Sequence, residues 1–119
     1  MLIWNKGVMH MAKYEAELKG DFNKILEDVT DTIMSKSSSA SLEDASLFRT
    51  PNATCAVRVF ERYSYMGGNR VSLNFTLLES DGRTFASVIT SGGSQAMFFK
   101  VNTFGEESFL DTIISTLEQ

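Results

Sequence analysis

Polar and apolar residues alternate strictly from Lys13 to Lys19. Tyr14, Ala16 and Leu18 fall on one side, and Lys13, Glu15, Glu17 and Lys19 on the other. A period of two predicts a half-buried strand. The period changes after Gly20-Asp21. Phe22, Ile25, Leu26, Val29 and Ile33 then recur at helical spacing, with Asn23, Glu27, Asp28 and Asp31 off the stripe. Asp21 is a suitable N-cap, because its carboxylate accepts from the first free backbone N–H groups. The helix is expected to dissolve in the polar run Ser35-Lys36-Ser37-Ser38-Ser39, a flexible connector.

Ser39 to Phe48 alternates at Ala40/Leu42 and at Ala45/Leu47, but Glu43-Asp44 breaks the register, so the stretch reads as a strand with a bulge. Pro51-Asn52 marks a turn. Thr54 to Tyr63 carries Cys55, Val57 and Val59 against Arg58, Phe60 and Arg62. Arg70 to Leu78 carries Val71, Leu73, Phe75 and Leu77 against Ser72, Asn74 and Thr76. Met66-Gly67-Gly68-Asn69 joins these two strands. Asp81-Gly82 is a hairpin signal. A short strand over Thr84 to Thr90 follows, then the turn Ser91-Gly92-Gly93-Ser94, then a strand over Ala96 to Asn102. Thr103-Phe104-Gly105-Glu106 fits a capping box, opening a closing helix with Phe109, Leu110, Ile113, Ile114 and Leu117 on its apolar stripe. Each helix has a single apolar stripe and needs a sheet face to cover it. The pattern predicts a two-layer α+β sandwich, with a mostly antiparallel sheet of five or six strands and both helices on one face, in β-α-β4/5-α order.

At 119 residues the chain fits one domain. Residues 1–10 precede the first periodic pattern. Their apolar run, Leu2-Ile3-Trp4, is too short for a signal peptide. Lys6-Gly7-Val8 can be encoded by codons resembling a ribosome-binding site just upstream of Met11. The expectation is that residues 1–10 are a non-native or disordered extension and that residues 11–119 form the domain. The N-terminal mass of the natively expressed protein checks this. No run approaches a membrane span, and the cytoplasm is the expected location.

The net charge of −4 argues against nonspecific nucleic-acid binding, which needs a clustered basic surface. One Cys excludes an internal disulfide, and one Cys with one His cannot build a His/Cys metal site. Cys55, in an apolar strand with no histidine base in the domain, reads as a small hydrophobe. Gly67-Gly68 and Gly92-Gly93 join strand to strand, whereas phosphate-binding loops open a helix. Ser94 and Gln95 make the second of these tips the better candidate for a polar contact. Glu43-Asp44 and Glu106-Glu107 read as solvated or capping acids. No catalytic residue, metal or cofactor is expected.

The most unusual stretch is Arg58-Val59-Phe60-Glu61-Arg62-Tyr63. If Val57 and Val59 pack beneath the helices, Arg58, Phe60 and Arg62 lie on the open sheet face. Asn74 would stand beside them, with Phe98 a strand or two away. Such a face is solvated, pairs with a second subunit, or binds a carboxylate or phosphate ligand through the arginines.

The segments MAKYEAELKGDF, SASLEDAS, CAVRVFERYSYMGGNRVSLN and ITSGGSQAMFFKVNTFGEESFLD resemble a small family of uncharacterised proteins from low-GC Gram-positive bacteria, over Met11 to about Leu117. The resemblance implies a small cytosolic bacterial protein and supplies no activity. The leading expectation is therefore a noncatalytic domain that self-associates, as a homodimer or larger, through its open sheet face or an edge. The alternative is a small anionic-ligand-binding domain that uses the Arg58/Phe60/Arg62 face or a sheet–helix cavity.

Overall fold

The computed structural model describes residues 11–36, 39–63, 70–92 and 113–118. Their elements are β1 (Met11–Leu18), α1 (Phe22–Lys36), β2 (Ser41–Arg49), β3 (Ala53–Tyr63), β4 (Arg70–Ser80) and β5 (Arg83–Gly92). A helical segment, α2, covers 113–117. The strands form one antiparallel sheet in the order β1-β5-β4-β3-β2. The α+β class, the five-stranded antiparallel sheet and the two helices agree with the sequence pattern. The expected strand over 96–102, the capping box, Phe109, Leu110, the turn at 66–69 and residues 1–10 lie outside the described residues.

Local chemistry explains each boundary. Gly20 takes a φ of 127°, a region that side chains avoid, and turns the chain from β1 into α1. Asp21 Oδ2 then accepts from the Lys24 N–H at 3.0 Å, as an N-cap should. The helix runs through Ser35 and Lys36 rather than ending before them; Lys36 in the last turn complements the negative helix end. Asp81 and Gly82, at φ 53° and 78°, make the two-residue turn that pairs Ser80 with Arg83. The expected bulge is present: Leu42 pairs with Phe60 and Asp44 with Val59, leaving Glu43 as the extra residue.

Residues paired across antiparallel strands share a face. Tyr14, Val88, Phe75, Arg58 and Ala45 form one register row; Ala16, Ala86, Leu77, Ala56 and Leu47 form the next; Thr90, Leu73, Phe60 and Leu42 belong to a third. These rows face the helices. Phe60, Leu73, Phe75, Leu77, Val29, Ile33 and Ile113 have no exposed surface and belong to a single core. Tyr14 is buried in the same core, and burial together with the nearby Glu118 raises the pKa of its hydroxyl.

Candidate functional site

The register corrects one expectation directly. Phe60 is paired with Leu73 and is fully buried beneath the helices, so it is not on the open face. Arg58 and Arg62, which share its parity, also turn to the helix side, paired with Phe75 and Val71. Val57, Val59 and Cys55 take the open face instead. The cause is β4, whose alternation admits one reading: Val71, Leu73, Phe75 and Leu77 are all fully buried. Once β4 is set, the pairing of Phe60 with Leu73 decides β3, since a slip of one residue would reverse every side chain. A strand with apolar residues on both faces carries no such signal alone.

The arginines therefore do not form an open anion clamp. Arg58 lays its guanidinium toward the β2 edge, where Nη1 donates to the Ser46 carbonyl at 3.3 Å and the Val57 carbonyl at 3.1 Å. Burial lowers the pKa of the Arg62 guanidinium, since a low-dielectric setting disfavours the charged form. Tyr63 is exposed at the end of β3, and its backbone N–H donates to Ser39 Oγ at 3.2 Å. Asn74 lies on the open face as expected, and its Oδ1 accepts from Thr76 Oγ1 at 3.0 Å. Ser94, Gln95 and Phe98 lie outside the described residues.

The open face divides into regions. Its β1 side is charged: Arg83 holds Glu17 through two hydrogen bonds of 2.8 and 3.0 Å, and Glu15 accepts from Ser87 at 3.1 Å. The Arg83 contact holds the Glu17 carboxyl below its ordinary pKa. The guanidinium also lies 5.0 Å over the Phe85 ring. Thr76 and Ser87 pair near the centre, and Ser72 and Ser91 pair at the end away from Phe85. At one end an apolar row crosses four strands in register, Phe85–Leu78–Cys55–Phe48. Val57 and Val59 extend it along β3. Phe48, 64% exposed, projects most strongly among the large apolar side chains described. A shallow depression of about 510 Å³ lies at the other end of the row, lined by Glu15, Glu17, Thr76, Leu78, Phe85 and Ser87. Sequence reasoning missed this row because its members come from four strands and share no local motif.

A second concavity, of about 390 Å³, lies between the β1–α1 turn, α1 and α2. Leu18, Ile25, Val29 and Leu117 line it, with Lys19, Asp21, Lys24 and Asp28 at its charged margin. Lys24 is tied to Asp28 at 3.2 Å, and Asp21 is engaged as the helix cap. Among the described residues no group of three or more His, Cys, Asp or Glu side chains is placed to hold a metal, and no helix is long and apolar enough to cross a membrane.

Comparison with known proteins matches residues 11–119 to a family of unknown function, DUF6054. No curated protein matches the chain. A crystal structure of PA94, a protein of unknown function from Pseudomonas aeruginosa, superposes with a TM-score of 0.54 at 8% identity, over 90% of this chain and 71% of that one. Ms6760 from Mycobacterium smegmatis gives 0.36 at 14% identity, over 99% and 96% of the two chains. The human StarD13 lipid transfer and protein localization domain gives 0.35 at 9% identity, over 94% and 79%. The first likeness concerns fold alone, and the other two superpose too loosely to bear on fold or role.

Proposed function

We propose, from the premise that this chain belongs to the DUF6054 family of unknown function, that it is a noncatalytic domain working as a self-associated assembly, joined through the open face of its sheet. The observation that carries this reading is the apolar row Phe85–Leu78–Cys55–Phe48, which ends in a phenylalanine 64% exposed. A contiguous apolar band rimmed by hydroxyls and charges is the anatomy of an interface. The β2 edge is the weaker alternative. Its first half carries the bulge, and the Asp44 carboxylate takes the Ala45 N–H at 2.8 Å, which opposes edge pairing. The setting we propose is the cytosol of a low-GC Gram-positive bacterium; the resemblance of the quoted segments supports it.

Sedimentation velocity over a hundredfold concentration range tests the proposal. The expected result is a dimer or larger, dissociated by Phe48→Asp with the fold retained. A concentration-independent monomer overturns the reading.

A ligand-binding role is the second reading. The 390 Å³ concavity favours it, because its size falls within the range of small-molecule sites. Thermal-shift measurements against anionic metabolites decide it: a saturable rise in melting temperature supports this role, and no shift removes it.

A further inference from the structure

The open face carries both a knob and a hole. Phe48 projects from β2 at one end of the apolar row. The depression beside Phe85 lies at the other end, on the β1–β5–β4 side. Three strand spacings, roughly 14 Å, separate the two phenylalanines, so one protomer cannot fill its own hole. We infer that a second copy of this chain fills it. The Phe48 of each copy seats in the depression beside the Phe85 of the other, about a two-fold axis that runs along the strands between β3 and β4. The inference rests on the self-association proposed above and specifies its geometry.

Three arguments support this arrangement. An isologous interface needs a surface complementary to itself, and a knob and a hole on one face satisfy this twice over. The axis stacks β5 on the partner's β2, and β4 on the partner's β3. That leaves β1 with no strand stacked on it, so Glu15 and Glu17 border the seated ring instead of facing a second strand. The other in-plane axis, along the apolar row, would stack β1 on β1 and press Glu17 against its own copy. Finally, four strands of about nine residues cover roughly 600 Å² in projection, before side-chain relief is counted. Stable complexes bury about 800 Å² per partner.

The mode separates the two ring positions in a testable way. Phe48→Glu places a carboxylate against the partner's Glu15 and Glu17, and Phe85→Lys places an ammonium beneath the partner's Phe48. Each variant alone is expected to be monomeric at concentrations where the unaltered chain is dimeric. An equimolar mixture is expected to recover a dimer of one of each. Its introduced carboxylate and ammonium pair at one contact, and the original Phe–Phe contact forms at the other. Far-UV circular dichroism establishes that both variants fold. A mixture that stays monomeric, or either variant remaining dimeric alone, overturns the docking mode while leaving self-association intact. A monomeric unaltered chain overturns both.

Discussion

Phe60 and Phe48 lie on neighbouring strands and on opposite faces of the sheet, Phe60 on the interior strand β3 and Phe48 on the edge strand β2. Phe60 has no exposed surface, whereas Phe48 is 64% exposed. Phe60→Ala is expected to cost about 3–5 kcal/mol of folding stability, through lost transfer energy and the cavity left behind. Urea denaturation measures it, and a cost under about 1 kcal/mol would mean that Phe60 is not in the core. Tyr14 contributes differently. Burial, followed by the charge of the nearby Glu118, raises its hydroxyl pKa above the ordinary 10.0. The folded state therefore holds that proton more tightly than the unfolded state. Its contribution is complete below about pH 10 and is lost as pH rises through the folded value. Tyr14→Phe should flatten the decline in stability above about pH 10, which pH-dependent denaturation would show.

At the level of elements, the bulge in β2 is an insertion that pairing tolerates. Leu42 already faces Phe60 and Asp44 already faces Val59, so only Glu43 lacks a partner position. Deleting Glu43 should leave every other register pair in place and change stability little, since no other pairing is lost. Backbone chemical shifts of β3 would report an altered register if the expectation is wrong. Gly92 is under the opposite constraint. It ends β5 at a φ of 152°, and a Cβ there would lie 2.7 Å from Val71 Cα, against the backbone of β4. The strand can come this close only with a glycine at that position.

At the level of the whole molecule, the described residues give one sheet a face packed under helices and an opposite face that none of them covers. If a second copy covers the open face, the melting temperature should rise with protein concentration, because association stabilises the folded state by mass action. Calorimetry across that range checks it, and a constant melting temperature counts against the assembly. The elements themselves were legible in the chain. Period-two alternation marked β1 and β4, a single stripe marked α1, Asp81-Gly82 marked the hairpin, and Glu43-Asp44 marked the bulge. All of these are local, set by backbone geometry and by neighbours within a few residues. The face of β3 was not legible, because Val57 and Val59 compete with Ala56 and Phe60 for the interior. Only pairing with β4 settles that competition, and pairing is a long-range property. The same register turned Arg58 and Arg62 to the helix side and gathered Phe48, Cys55, Leu78 and Phe85 from four strands into one row. The sequence by itself determined the elements and their order. The tertiary structure decided which residues meet at the surface, because strand register, not spacing along the chain, places them side by side.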